Sequence, residues 1–232
     1  MKRQLNELLE MANIVGVIAS KEDARVAIAN PDIADIFEWR VDCEPHIRAE
    51  IRELCGSHSR PVIITVRDAS EGGRQSDWNA DTRMALYREH MPLATFIDVE
   101  ASTADIMIDV IREAKSLGVG IIISQHAMNG PWSPSMSYVI ARKAKLLGCD
   151  IFKLAIVPDS FEEFAEFVLC ASNIMSDHKL IVAPMAMGDS FGKVSRLLFA
   201  KAGAVLMYTS LAQSVVRGQW NASEIRQMVA KC

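Results

Sequence analysis

Asp150-Ile151-Phe152-Lys153-Leu154-Ala155-Ile156-Val157 is a strand-length apolar run with a lysine near its middle. Side chains alternate faces along a β-strand. Phe152, Leu154 and Ile156 therefore share one face, and Lys153 and Ala155 share the other. The same division recurs upstream. Glu38, Arg40 and Asp42 share a parity in DIFEWRVD (35–42), as do Thr65 and Arg67 in PVIITVR (61–67), Asp98 and Glu100 in ATFIDVE (94–100), and Ser124 and His126 in VGIIISQH (119–126). In each strand one face is apolar and fit to pack on helices. The other turns polar, mostly towards the C-terminal end of the strand.

Three further runs read as strands: IVGVIAS (14–20), KLIVAPMAM (179–187) and AVLMYTS (204–210). Helical patterns lie between strands, with Ile106, Val110, Ile111 and Ala114 at helical spacing, and likewise Phe161, Phe164, Ala165 and Val168. Leu117-Gly118 and Leu147-Gly148 are helix stops just before a strand, and Ser102-Thr103 and Asp159-Ser160 are expected helix N-caps. Strands alternating with helices imply parallel βαβ units. About eight such units in 232 residues, with no linker or low-complexity stretch, predict a single-domain α/β fold, a (β/α)8 TIM barrel over residues 1–232. A doubly wound open sheet is the alternative. It would carry a Gly-rich turn after its first strand, where this chain has KEDARVA. A barrel whose lumen is polar at its C-terminal mouth accounts for both the helices and the polar strand faces.

Half the residues are apolar and the formal net charge is −4, with no basic face or arm, so nucleic acid is not an expected partner. The apolar runs are far shorter than the ~18 residues that span a bilayer. Lys2 and Arg3 are followed by Glu7 and Glu10 before any apolar stretch, which does not read as a secretory signal. Five cysteines without a CxxC pattern read as reduced thiols in the cytoplasm. The five histidines form no spaced pair with each other or with cysteines, so no metal site is expected.

Lys153 is the lysine set inside an apolar strand core. Taken alone, it also reads as an aliphatic stem whose ammonium reaches solvent. As a nucleophile it requires a depressed pKa, because a lysine near 10.4 is almost wholly protonated at neutral pH. Arg40 and Arg67 in the same lumen are the expected source of that depression. His126 ends the preceding strand at the same mouth, and an imidazole near its ordinary pKa carries protons both ways. Glu71, before Gly72-Gly73, is placed to hold a histidine tautomer, with glycines that let backbone approach a ligand. Arg40, Arg67 and Arg196 have the fork geometry for a carboxylate or hydroxyls. Asp98 and Glu100, lacking a His or Cys set, are expected to hydrogen-bond rather than to bind metal.

The order of these pieces carries more than any one of them. Glu38-Trp39-Arg40, Arg67…Glu71-Gly72-Gly73, Asp98-Val99-Glu100, Ser124-Gln125-His126, Phe152-Lys153, Met187…Ser195-Arg196 and Gly218-Gln219 follow in a series that resembles type I 3-dehydroquinate dehydratase from about residue 14 to 225. The resemblance implies a (β/α)8 barrel without metal or organic cofactor, usually a homodimer, that converts 3-dehydroquinate to 3-dehydroshikimate on the shikimate route to aromatic amino acids. It implies that Lys153 forms an imine with the substrate ketone, His126 moves protons and Glu71 orients His126. It further implies that Glu38, Arg40 and Arg67 bind the hydroxyls and polar edge, Arg196 the carboxylate, that Met187 packs beside the ring, and that Gln219 belongs to a lid loop over 211–220. Two departures fall near that lid. Val215-Val216-Arg217-Gly218-Gln219 stands where the family reads Ser-Ala-Pro-Gly-Gln, with Ser214 one residue early, and one extra residue lies between Met187 and Arg196.

Two rival functions remain open on the residues themselves. Another Schiff-base barrel, such as a class I aldolase, would need a phosphate site near the last two strands, and Asp189 there argues against one. A barrel that binds a ligand without catalysis is the other, supported by the altered lid.

Overall fold

The computed structural model describes residues 5–43, 51, 53–54, 60–128, 132–178, 180–212 and 216–229. Eight strands lie in one sheet: β1 (Asn13–Ile18), β2 (Ile36–Arg40), β3 (Val62–Thr65), β4 (Phe96–Glu100), β5 (Gly120–Ala127), β6 (Ile151–Ile156), β7 (Ile181–Ala186) and β8 (Leu206–Ser210). Every expected strand is present, trimmed by one or two residues at most ends. All the ladders are parallel, and β8 pairs with β1, in the order β7-β6-β5-β4-β3-β2-β1-β8. The sheet thus curls into a (β/α)8 barrel. Its one seam without a ladder among the described residues lies between β7 and β8.

The helices are α1 (Leu5–Leu8), α2 (Lys21–Ala29), α3 (Ala80–His90), α4 (Ile108–Ser116), α5 (Pro134–Leu146), α6 (Phe161–His178), α7 (Gly192–Lys201) and α8 (Ala222–Val229). Ser20, Asn79 and Ser133 cap α2, α3 and α5 by accepting from Asp23, Thr82 and Met136 amides. Ser160 caps α6 through the Glu163 amide at 3.1 Å. Gly118 and Gly148, at φ 73° and 66°, end α4 and α5 in the left-handed conformation that favours glycine. The cap expected at Ser102-Thr103 is absent. Residues 101–107 are turns, and α4 begins at Ile108 without a side-chain cap. Both hydroxyls are engaged elsewhere, Ser102 Oγ with Glu71 Oε1 and Thr103 Oγ1 with Glu100.

The apolar side chains divide by strand parity. Trp39, Ile64, Val99, Ile123, Phe152 and Leu154 belong to the layer between strands and helices. Val15, Ile36, Ile63, Phe96, Ile122, Ile151 and Leu206 form a second cluster inside the barrel. Each such burial contributes about 1.5–3 kcal/mol. Leu8 joins the inner cluster with Leu5 against it, so α1 plugs the N-terminal end. Asn13 Nδ2 holds the plug by donating to the Leu8 and Val205 carbonyls at 2.7 and 3.0 Å. Gly120 makes room for the Phe96 ring there, since a Cβ would lie 2.5 Å from it. The lumen is thus closed by hydrocarbon at one end, and its polar layer faces the other. Among the described residues no helix is long and apolar enough to cross a membrane.

Candidate active site

The polar ends of β2, β5 and β6 and the segment after β3 meet in a cavity at the C-terminal mouth. The nine residues to which the resemblance gives a role all line it: Glu38, Arg40, Arg67, Glu71, His126, Lys153, Met187, Arg196 and Gln219, whereas Asp98 and Glu100 lie behind its wall. The β5–β6 register sets Ser124 opposite Lys153 and His126 opposite Ala155, which brings imidazole and amine to the same chamber.

Lys153 is 4% exposed, so its ammonium does not reach bulk solvent. Nζ donates to Asp98 Oδ2 at 2.9 Å and Glu38 Oε1 at 3.4 Å, and it lies 4.1 Å from the centroid of the Tyr208 ring. The expectation that Arg40 and Arg67 press on this amine needs correction. Arg40 forks onto both oxygens of Asp42 at 2.8 Å, and Arg67 pairs with Asp98 and Glu100 at 2.9 Å. The nearest charges to the amine are carboxylates.

These groups form a continuous buried chain. Arg83 from α3 pairs with Glu100, Glu100 with Arg67, Arg67 with Asp98, Asp98 with Lys153, and Lys153 with Glu38. Three cations face three buried carboxylates, and Arg83 also reaches the partly exposed Asp68. Ser124 Oγ donates to Asp98 Oδ1 at 2.6 Å, and Thr65 Oγ1 to Glu38 Oε1 at 2.9 Å. Burial alone would push the Asp98 carboxyl up, but Arg67 and Lys153 outweigh it and hold the group far below the carboxylate range. Asp98 and Glu100 therefore act as hydrogen-bonding acids, as their sequence context suggests. Among the described residues no group of three or more His, Cys, Asp or Glu is arranged to hold a metal ion.

Glu71 ends a short 3-10 turn (Ala69–Glu71) capped by Asp68, whose side chain accepts from the Ser70 amide. Arg83 anchors Asp68 at 2.9 Å, which ties this loop to α3. Glu71 Oε2 accepts from the backbone N–H of His126 at 3.1 Å and from His126 Nδ1 at 2.9 Å. That bond fixes the tautomer and leaves Nε2 without a proton in the neutral ring. Burial first, then the charges of Arg67 and Lys153, lower the His126 pKa well below 6.5. Burial also raises the Glu71 carboxyl, partly offset by the Ser102 hydroxyl. The imidazole is thus held neutral, ready to accept a proton. Of the two glycines, Gly72 does bring backbone to the cavity wall, and Gly73 has a packing task. Gly73 packs on its own chain, where a Cβ would sit 2.2 Å from the Arg67 carbonyl, while Gly72 turns the loop at φ 90° and its carbonyl accepts from Arg40.

Arg196 is 3% exposed, and among the described residues no carboxylate pairs with it. Burial lowers its pKa to about 10. Nε donates to the Tyr208 carbonyl at 3.0 Å, and Nη1 to Ala186, Gly192 and Gly218 carbonyls at 3.0, 2.7 and 3.0 Å. One guanidinium therefore bridges β7 and β8 where the ladder is missing. Gly218 lies so close to the Gly188 carbonyl that a Cβ would come within 2.1 Å, which seats the segment carrying Val216 and Gln219 against the loop after β7. Asp189 on that loop faces Arg217 at 3.5 Å, so the acid that argued against a phosphate is matched by a cation. Ser214 and Val215 lie outside the described residues.

Two participants escaped the sequence reading. Arg83 sits in ADTRMALYREH, where nothing separates a buried arginine from a solvated one. Tyr208 lines the cavity beneath the lysine, and its parity with Leu206 and Ser210 was the available signal.

Fold and cavity together define an enzyme of the (β/α)8-barrel class, with its reactive groups at the strand C-termini where such barrels carry out chemistry. A family model described as type I 3-dehydroquinase matches residues 13–231. The chain belongs to that family. It is 30% identical over 234 residues to 3-dehydroquinate dehydratase of Methanosarcina acetivorans, covering 96% of each chain. It is also 30% identical over 205 residues to the Aquifex aeolicus protein of the same name, covering 85% of this chain and 88% of the relative. In fold it is similar to the crystal structure of type I 3-dehydroquinate dehydratase from Clostridium difficile, with a TM-score of 0.82 at 24% identity over 96% of this chain and 92% of that one.

Proposed function

We propose that this protein dehydrates 3-dehydroquinate to 3-dehydroshikimate through an imine on Lys153. The observation that carries the proposal is the shared cavity, in a chain of this family, of a desolvated amine and an imidazole held neutral by its surroundings and oriented by Glu71. Removing a proton next to a neutral ketone is slow because the carbanion is poorly stabilised. When Lys153 Nζ adds to the ketone carbon and the resulting carbinolamine loses water, the protonated imine becomes an electron sink. His126 then takes the proton from the neighbouring carbon, leaving an enamine. The enamine pushes out the hydroxyl on the next carbon, which leaves as water with the proton His126 returns. Hydrolysis of the imine frees the product and the amine. For the first step Lys153 must pass a proton on, and Glu38, whose Oε1 accepts from Nζ at 3.4 Å, is the acceptor within reach, since Asp98 is held too firmly ionised to take it.

Arg196 is assigned to the substrate carboxylate. A buried guanidinium with no acid of its own supports that role. Glu38, Arg40 and Arg67 border the polar edge of the ring, although the terminal nitrogens of Arg67 are already engaged by Asp98, Glu100 and Ser124. Met187 packs beside the ring, and Gln219 closes over it from the 211–220 lid. We assign the protein to the shikimate route in the cytoplasm, in keeping with free thiols at Cys43, Cys149 and Cys170. We also propose a homodimer. Exposed Met136, Val139 and Leu146, spaced along α5, offer an apolar face for it.

The test is incubation with 3-dehydroquinate and borohydride, followed by peptide mass analysis. Irreversible inactivation with a mass increase on the Lys153 peptide is expected. Turnover without an adduct would remove the imine, an adduct formed only with a sugar phosphate would favour an aldolase, and neither turnover nor adduct would favour a non-catalytic barrel.

A further inference from the structure

Tyr208 is 3% exposed, and its hydroxyl is buried without a hydrogen-bond partner among the described residues. Buried hydroxyls nearly always find a partner, because desolvating one unpaired is unfavourable. The ring accounts for the position's apolar task, packing in the inner cluster and carrying Lys153 Nζ on its face. A phenylalanine would do both without stranding an oxygen. The hydroxyl needs a separate explanation, and the cavity that Tyr208 lines supplies one.

We propose that the Tyr208 phenol is a substrate-contacting group that donates a hydrogen bond to a neutral oxygen of the bound ligand close to the carbon that Lys153 attacks. The inference rests on the function proposed above and adds a recognition element to the same site. The position of the ring locates the contact. Lys153 Nζ lies 4.1 Å from the Tyr208 ring centroid and is held there by Glu38 and Asp98, so the phenol is on the amine's side of the cavity and the acceptor is a ring hydroxyl or the ketone oxygen rather than the carboxylate. Burial and the two acids also keep the phenol protonated far above its ordinary range, which suits a donor and not a base.

Tyr208→Phe isolates the hydroxyl, because the ring beneath the amine stays. Loss of one neutral hydrogen bond should raise KM by about two- to twelve-fold, with kcat changed less than KM. The thermal midpoint of the ligand-free variant should be unchanged or higher, since an unpaired buried oxygen has been removed. A merely structural hydroxyl would give the opposite pattern, a lower midpoint with unaltered KM, and that result overturns the proposal. So does an unaltered KM with an unaltered midpoint. A rise well beyond this range would assign the acceptor to a charged group and overturn the location. Failure of the wild type to turn over 3-dehydroquinate would overturn the functional reading and this inference together, whereas an active wild type with an equally active Tyr208→Phe overturns this inference alone.

Discussion

Asp98→Asn removes one negative charge from a buried set whose link outward is Arg83 to Asp68, an acid a quarter exposed. Arg83, Arg67 and Lys153 are matched by Glu100, Asp98 and Glu38, and all six side chains are at most 5% exposed. Asparagine keeps the shape and can still accept from Ser124 or Lys153, so packing is hardly disturbed. The charge balance is not. Three buried cations would face two buried carboxylates, with only the partly exposed Asp68 besides, in a site with little water to screen the excess. An uncompensated buried charge costs about 3–5 kcal/mol. For a domain of this size each kcal/mol shifts the thermal midpoint by roughly 2–4 °C, so a fall of about 6–20 °C is expected. Urea unfolding at neutral pH gives the free energy directly. The companion variant is Asp98→Asn with Lys153→Met, which restores two cations against two carboxylates. Its loss should be smaller than the sum of the single losses, with a coupling of about 0.5–3 kcal/mol. An Asp98→Asn protein within about 1 kcal/mol of wild type, or strictly additive losses in the double variant, would refute the reasoning that this network is a balanced unit.

Two further outcomes follow from the same site. Because the His126 pKa lies well below 6.5 in the folded chain, its neutral form persists as pH falls to that value, and kcat/KM should decline only below 6.5; an acid limb centred at or above 6.5 would remove His126 as the base. The linked stability has the same sign: the site favours neutral His126, so folding stability is fully present above 6.5 and is lost as pH drops below it. Arg196→Lys keeps the charge but not the fork, so we expect KM to rise at least ten-fold, a loss of about 1.4 kcal/mol or more, and the thermal midpoint to fall as carbonyls of Ala186, Gly192, Gly218 and Tyr208 lose their shared donor. Unchanged KM would separate Arg196 from the substrate.

Parity along single strands carried most of this site into view. Glu38, Asp98, Ser124 and Lys153 alternate with large apolar residues, and alternation is a local property that one strand states by itself. Partner choice is not local. Whether Arg67 presses on Lys153 or pairs with an acid depends on the register of β3 on β4, which sets Thr65 beside Asp98 and brings Arg67 level with Glu100. No single strand contains that information. Arg83 was invisible for a related reason: the amphipathic pattern of α3 is weak, and only its docking against β3 and β4 shows that its guanidinium points inward to Val66 and Glu100. The turn at 101–107 was misread because Ser102 and Thr103 have two uses for a hydroxyl, and the nearby Glu71 and Glu100 won over the helix amides.

The alternating ions inside the barrel also police its assembly. Slide β4 by one residue and Asp98 and Glu100 would turn towards the hydrocarbon beneath the helices, while Ile97 and Val99 would confront Arg67 and Lys153. Each strand that contributes to the lattice is subject to the same veto, because a shift of one position exchanges its two faces. Misaligned cylinders are thereby made poor competitors, and the atoms that handle the substrate also discriminate among the ways in which the chain can wrap.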